Sequence, residues 1–419
     1  MPVMLDISRL IWRARRTGPS GIDRVELAYA EYFLADDARR PAYAVIHVLG
    51  WLFGVNPAGA RRFVRKLAAR WQGGAAEGGQ RRVVPLLDLY ASLFMGHWRA
   101  GFQLRRRLRE HRAPPIFLVV SHHHLARDHT MRSIRRSFGA RCVCFLHDLI
   151  PIDYPEYVQP GNAQRHRRLT ETITDCFDAV IVNSASTAES FRHFLSSDTS
   201  PRPRAANVHV ALPGVRAFPR PKSLPEMPRG PHSVPYFIVL GTIEPKKNHL
   251  LLLNLWIRLA AILATPPRLL VIGARGWENE QVVDMLERSH RLRGLVEEHN
   301  RLDDAAVGAL LGQARALLVP SFVEGFGLPL AEALASGVPV ICSDIPVFRE
   351  VGRDVPDYVD PLDLLAWRDA IVDYSSADSE RRSAQMQRLA RWQPPSWPDH
   401  FEIVESALDR VAVSPRITP

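Results

Sequence analysis

The sequence predicts an α/β protein of two domains, each a parallel sheet flanked by helices. Three observations carry that prediction. Strand-like and helix-like runs alternate almost throughout. A stretch dense in proline, at positions 219, 221, 225, 228, 231 and 235, breaks the alternation near mid-chain, and that density forbids regular structure. The chain is also 419 residues long, more than one hydrophobic core usually organises. The expected partition is a first domain over residues 1–215, a linker over 216–235, a second domain over 236–395 and a terminal helix over 396–419 that crosses back to the first. Within the first domain, residues 51–112 read as an irregular basic insertion.

Residues 4–10 form the first strand pattern, and Thr17-Gly18-Pro19-Ser20-Gly21 is a turn leading into helical spacing over 22–34. Further strands are expected at 44–49, 116–121, 143–147 and 179–183. Ser184 to Glu189 has the composition of a helix start. After the linker, strands are expected at 236–240, 268–273, 316–320 and 338–342, with helices at 249–264, 281–290 and 328–336. Hinged α/β halves place ligands in the cleft between them, at the carboxyl ends of the strands.

Composition narrows the class. Hydrophobic residues at 46% and charged residues at 23% exclude a disordered or fibrous chain. The formal charge of +10 lies wholly in the first half, where residues 1–219 hold 32 Lys and Arg against 18 Asp and Glu. Two readings of this stand. One is an anionic partner, either a membrane surface or a nucleic acid. The other is a GC-rich coding sequence, which writes Arg by default; 50 arginines against four lysines favour it for most positions. Residues 60–72 sharpen the first reading. Phe63, Val64, Leu67, Ala68 and Trp71 recur at helical spacing among five basic residues, as in an interfacial membrane helix, although an ordinary surface helix has the same pattern. Cys142, Cys144, Cys176 and Cys342 lack metal-ligand or CxxC spacing and read as buried and reduced. No leader pattern opens the sequence, and the longest apolar run, 250–264, is too short to span a bilayer. The expectation is a cytoplasmic protein, with or without peripheral attachment to the inner membrane face.

Three stretches carry chemistry. In VPSFVEGFGLPLAEALASGVPVIC, residues 319–342, a strand ends at Pro320-Ser321. The loop Glu324-Gly325-Phe326-Gly327 follows, and a helix opens at Leu328-Pro329. Free N–H groups at such a start, backed by the helix dipole, suit a diphosphate. Glu324 and Glu332 frame this turn, and each carboxylate can accept two hydrogen bonds from a vicinal diol. In VLGTIEPKKN, residues 239–248, Lys246 and Lys247 are two of the four lysines, so a compact ammonium is favoured there over Arg. The alternative is a solvated loop pair. In CFLHDLIPIDY, residues 144–154, His147 and Asp148 follow a buried strand. His122, His123 and His124 also follow a strand, without such company. A metal there is disfavoured because adjacent residues of an extended chain cannot all face one ion.

Together these residues resemble the retaining glycosyltransferases of family 4, which have the GT-B fold. The pair of glutamates separated by seven residues is the most specific element. The resemblance implies that Glu324 contacts the donor sugar and Glu332 the nucleotide ribose, with Gly325, Phe326, Gly327 and Leu328 forming the turn. It implies that Lys247, beside Lys246, neutralises the diphosphate. Many members have Arg where this chain has Thr242, so part of that charge is absent or supplied by another residue. His147 is similar to the family's first-domain histidine at the donor sugar, and Gly18 to Gly21 to its glycine-rich turn near the donor phosphates and the acceptor. Residues 211–215 resemble the strand end that closes the first domain, without the Asn and Asp often found there.

No Asp-x-Asp occurs, so neither a bridging metal nor any other cofactor is expected. Transfer with retention by front-face attack follows, the leaving phosphate oxygen taking the acceptor's proton; a double displacement through Glu324 is the less favoured route. Gly273-Ala274-Arg275-Gly276-Trp277 is similar to members of bacterial surface polysaccharide assembly. GDP-mannose is therefore the first donor expected and a UDP-hexose the second. The acceptor is a saccharide, free or carried on a polyprenyl diphosphate. Rival readings are a nucleic-acid-binding protein, for which no module is found, a non-catalytic GT-B protein, and a GT-B epimerase or phosphorylase.

Overall fold

A computed structural model describes residues 1–16, 18–48, 51–71, 88–90, 100–122, 125–197, 207–219, 234–300 and 302–413. His123, His124, Thr17 and most of the proline-dense stretch lie outside the described residues. Two compact units emerge. The first comprises Met1–Leu149, Gln164–Pro213 and Trp397–Pro419, and the second Ile150–Ala163 and Gly214–Ser396.

The first unit is built on a seven-stranded sheet. Its strands are β1 (Val3–Asp6), β2 (Ala42–Val48), β3 (Trp51–Gly54), β4 (Ile116–Val119), β5 (Arg141–Leu146), β6 (Ala179–Val182) and β7 (Asn207–Val210). They lie in the order β3-β2-β1-β4-β5-β6-β7. All pairs are parallel except β2 with β3, where Val48 faces Trp51. Strands β1, β4, β5 and β6 are buried at every residue, as sheets covered on both faces require. The helix Gly21–Phe33 starts with a capping box: Ser20 Oγ accepts from the Asp23 N–H, and the Asp23 carboxylate accepts from the Ser20 N–H. Its Val25, Tyr29 and Phe33 enter the core one turn apart.

Several expectations are corrected here. The first strand ends at Asp6 rather than running to residue 10, because the Asp6 carboxylate accepts from the Ser8 N–H and turns the chain into the helix Ser8–Arg13. The segment read as irregular contains β3 and the helices Pro57–Trp71 and Ala100–Arg109. The apolar face of Pro57–Trp71 is not presented to a membrane. Phe63, Val64, Leu67, Ala68 and Trp71 are all in the first unit's core, and the Trp71 indole N–H donates to the Arg16 carbonyl.

The second unit has six parallel strands: β8 (Tyr236–Leu240), β9 (Arg268–Ile272), β10 (Val296–His299), β11 (Leu317–Val319), β12 (Val340–Ser343) and β13 (Asp357–Val359). Their order is β10-β9-β8-β11-β12-β13. Trp256, Trp367, Tyr374 and Phe237 fill its core.

The domain boundaries also differ from the contiguous partition. Residues 150–163 leave the first half of the sequence and pack in the second unit, where the Trp277 indole N–H donates to the Tyr157 carbonyl and Tyr157 stacks on Phe322. The described start of the proline-dense stretch is also bound there: the Val215 N–H donates to the Pro395 carbonyl and the Phe218 N–H to Ser336 Oγ. The helix Trp397–Val413 belongs to the first unit. It lies on β5, β6 and β7, Phe401 stacks on Tyr32 at 3.9 Å, and His400 Nε2 meets the Tyr29 hydroxyl at 2.9 Å.

Candidate functional site

In the second unit, two loops at the carboxyl ends of neighbouring strands β8 and β11 bring together a buried ionic cluster. The chain leaves β8 through Gly241 and Thr242 and forms a single 3-10 turn at Pro245–Lys247. The Phe322 N–H donates to the Lys246 carbonyl at 2.8 Å, tying the two loops by backbone. Lys247 Nζ is 2.5 Å from Glu324 Oε1, and Ser321 Oγ donates to the same oxygen at 2.9 Å. Lys246 Nζ lies 3.9 Å from Glu324 Oε2 and 3.5 Å from Glu244 Oε1. Only 8% of the Glu324 side chain and 12% of the Lys247 side chain are exposed, so the pair is held in a poorly solvated place where charges interact strongly.

Burial alone would raise the Glu324 carboxyl. The charges of Lys247 and Lys246, with hydrogen bonds from Lys247 and Ser321, outweigh it and hold the group below its ordinary value. Glu244 goes the other way, because burial exceeds what the two lysines return. The two neighbouring carboxyls are thus shifted in opposite directions, Glu324 down and Glu244 up.

The turn after Glu324 is shaped by one steric demand. Gly327 has φ +85° and precedes the helix Leu328–Ala335, and a Cβ there would lie 2.6 Å from Phe348 Cε1. Only glycine meets both conditions. The first N–H groups of a helix have no partner within it, and Pro329 in the first turn has none to satisfy. Phe326 is buried, and Glu332 is half-buried in the first turns of the helix. Gly325, Gly327, Leu328 and Glu332 therefore share one strand-to-helix junction with the Lys247–Glu324 pair.

Thr242 is exposed, and it sits where the β8 and β9 ends cross. A Cβ on Gly273 would fall 1.8 Å from the Gly241 carbonyl oxygen, and one on Gly276 would meet Thr242 Cγ2 at 2.8 Å. The Ile243 N–H donates to the Ala274 carbonyl and the Gly276 N–H to the Ile243 carbonyl. Gly273-Ala274-Arg275-Gly276 thus acts as a backbone clasp on the lysine loop. Arg275 itself points to Glu298 and Glu287, at 2.7 and 2.5 Å.

His147 lies in the first unit, after β5, and is buried. Its Nε2 meets the Val120 carbonyl at 2.8 Å. A carbonyl only accepts, so Nε2 carries the proton and Nδ1 the lone pair. Burial, partly offset by that carbonyl, lowers its pKa to about 4, and the ring is neutral at pH 7. The reading that His122 lacks company is corrected, since His122 Nε2 accepts from the His147 N–H at 3.2 Å. Asn183 Nδ2 donates to the His147 carbonyl at 2.6 Å. Gly21 opens the capped helix Gly21–Phe33 of the same unit. Among the described residues no three or more His, Cys, Asp or Glu are grouped to hold a metal.

Ser321, Glu244 and Asn183 carried no role in the sequence, and His122 was weighed there only as a metal ligand. Ser321 and Glu244 stood inside the quoted motifs, but a serine at a strand end and a glutamate beside lysines are common enough to carry no signal until the fold aims them.

Two sheets of this kind, each with its polar loops at the carboxyl ends, are Rossmann-like units, and the solved structures the chain resembles make the fold GT-B. The chain matches the profile described as Glycosyltransferase Family 4 over residues 58–217 and that described as Glycosyl transferases group 1 over 226–355. It belongs to glycosyltransferase family 4. Among curated proteins it is similar to the O-antigen chain mannosyltransferase B of Escherichia coli, 35% identical over 39% of this chain and 42% of that protein. It is also similar to a serotype-specific mannosyltransferase of Escherichia coli, 27% identical over 52% of this chain and 28% of that protein. The chain thus spans less than half the length of these relatives. Among solved structures, a sucrose-phosphate synthase from Thermosynechococcus elongatus superposes with a TM-score of 0.62 at 16% identity, over 99% of this chain and 100% of that one. A trehalose 6-phosphate synthase from Burkholderia multivorans superposes with a TM-score of 0.52 at 16% identity, over 78% of each. At such identities the likeness speaks for the fold.

Proposed function

We propose that the chain is a hexosyltransferase of polysaccharide biosynthesis that moves a hexose, mannose first, from a nucleotide diphosphate donor to a saccharide acceptor. The observation that carries the reading is the ionised Glu324 held against Lys247 beside the Gly327–Leu328 helix start. This arrangement offers fixed positive charge for a departing diphosphate and a carboxylate for sugar hydroxyls. The names of the mannosyltransferase relatives support mannose, and GDP-mannose before a UDP-hexose is the donor proposed with it.

Transfer is proposed to proceed with retention and without metal. The leaving phosphate oxygen takes the acceptor's proton, while Lys247, Lys246 and the helix start absorb the developing charge. Glu332 is proposed at the nucleotide ribose, and His147 and Gly21 as the first unit's contributions on the resemblance alone. A polyprenyl-diphosphate-linked acceptor, an anionic membrane surface and a place on the inner membrane face belong to the same proposal. No helix among the described residues is long and apolar enough to cross a membrane.

Thermal-shift measurements against GDP-, UDP- and dTDP-sugars test the donor, since a ligand that binds only the native state raises the melting point. Stabilisation by none of them would remove the reading. NMR of the product then gives the anomeric configuration, and an inverted product would refute retention. EDTA should leave turnover intact; loss restored by a divalent ion would refute the metal-free route.

A further inference from the structure

We propose that the edge of the first unit's sheet around β3 is a docking surface for an anionic lipid bilayer. This deepens the membrane element of the proposed function and rests on different residues from those that prompted it. The basic helix Pro57–Trp71 cannot supply the contact through its apolar side, which is spent in the core.

The exposed aromatics lie elsewhere. Trp51 is 73% exposed and Phe53 44%, and as residues i and i+2 of β3 they share one face. Trp12 is 58% exposed on the helix Ser8–Arg13. The fold brings these distant pieces to one end of the sheet. The His47 N–H donates to Ser8 Oγ at 2.8 Å, which sets that helix over the end of β2, and the adjacent Val48 pairs with Trp51.

Edge strands are ordinarily blunted by charge, proline or a cover, because a bare apolar edge invites other chains. Here the edge carries two large outward aromatics, and an exposed patch of that kind marks an interaction site. Cations stand beside it: Arg15 and Arg16 are exposed just after Trp12.

Indole rings at the headgroup level with arginines beside them are what an anionic membrane surface recognises. A zwitterionic surface lacks the charge, and a nucleic acid would call for aromatics in a groove that tracks a strand. The location also serves the proposed chemistry. The patch lies at the carboxyl end of β1 and β2, the same end of this sheet at which His147 follows β5 and Gly21 opens its helix. A saccharide carried on a membrane lipid would arrive at the end of the unit where Gly21 of the glycine-rich turn stands.

The test is flotation of the full chain with phosphatidylglycerol vesicles and with phosphatidylcholine vesicles at low salt. It is read with tryptophan fluorescence against brominated lipid. The expected result is binding to the anionic vesicles, with quenching, and none to the neutral ones. Trp51→Thr/Phe53→Thr, which keeps strand propensity at solvent-facing positions, should lower partitioning about tenfold. Arg15→Ser/Arg16→Ser should weaken binding and its salt dependence together. Both variants should keep the wild-type melting point and its shift with nucleotide. Equal binding to neutral vesicles, unchanged binding by the double aromatic variant, or a dimer dispersed by that variant in a protein that ignores lipid would each overturn the proposal. So would tighter binding to DNA or RNA than to vesicles. Flotation does not read sugar transfer, so a chain that floats but transfers nothing would fault the transferase reading and leave this one standing.

Discussion

Lys247 Nζ and Glu324 Oε1, 77 residues apart in sequence, meet at 2.5 Å where the loops after β8 and β11 close on each other. The pair neutralises itself before any donor arrives, so a diphosphate has to compete with Glu324 for the ammonium. Glu324→Gln should therefore abolish transfer while tightening the binding of the free nucleoside diphosphate several-fold, because a like charge near the phosphates has gone. Lys247→Met should lose both. Calorimetric titration with GDP and UDP separates these outcomes, and weaker nucleotide binding by Glu324→Gln would contradict the competition.

Ser321 is completely buried and gives its hydroxyl hydrogen to the same carboxylate oxygen. A hydrogen bond to a charged group contributes about 1.5–3 kcal/mol, but Lys247 remains on that oxygen when the hydroxyl is removed. Ser321→Ala should leave the fold standing and lower kcat about tenfold, at the lower end of that range, with KM for the donor little changed. Steady-state kinetics at saturating acceptor decides it. A change confined to KM would place Ser321 in ground-state binding only.

Gly327 combines a left-handed backbone with a hard contact against Phe348. Gly327→Ala should destabilise the second unit by about 1–3 kcal/mol from backbone conformation alone. Adding Phe348→Ala should relieve the steric part and leave the conformational part, while introducing a cavity of its own. A double-mutant cycle in urea measures the coupling between them, and simple additivity would show that the contact carries no strain.

The sequence made some of this legible and hid the rest for physical reasons. Strand β8 was read residue for residue, since Pro235 and Gly241 punctuate five apolar residues, the first four of them buried in the sheet. Strand β10, Val-Glu-Glu-His, was not, because it is a half-exposed edge strand whose glutamates face Arg268 and Arg275. The Lys247–Glu324 neighbourhood could be anticipated from two separate motifs, each at a strand end, where parallel sheets gather their polar loops. Its finer construction could not. Nothing in the spacing of Ser321 or Glu244 says that the first reaches Glu324 and the second Lys246, and the backbone bond from Phe322 to Lys246 exists only once β8 and β11 are neighbours. Residues 150–163 misled for a different reason: a contiguous partition cannot express a segment that leaves one compact unit, packs in the other through Tyr157 and Trp277, and returns.

The buried histidines set the acid limit of stability. His147, His249 and His400 each have a pKa of about 4 against an ordinary 6.5, and His122 lies well below that value too. Burial is the main cause in every case, aided at His249 by Lys247 and opposed at His400 by backbone carbonyls. The folded values lie under the unfolded ones, so the native state disfavours the proton. Their contribution is whole above about pH 6.5 and is lost as pH falls from there, and His147, His249 and His400 each cost about 3 kcal/mol by the acid end near pH 4. Glu324 adds to the loss only further down, as pH drops below the ordinary carboxylate value, because its own pKa is depressed. Urea denaturation at steps between about pH 7 and pH 4.5 should show the midpoint falling steadily. His400→Gln keeps an amide beside the Tyr29 hydroxyl and the Leu212 carbonyl but cannot take up a proton. It should lower stability at pH 7 and flatten the slope by about one proton's worth. A variant as steep as the parent would mean that His400 is already charged when folded, and that its partners rather than its burial decide its state.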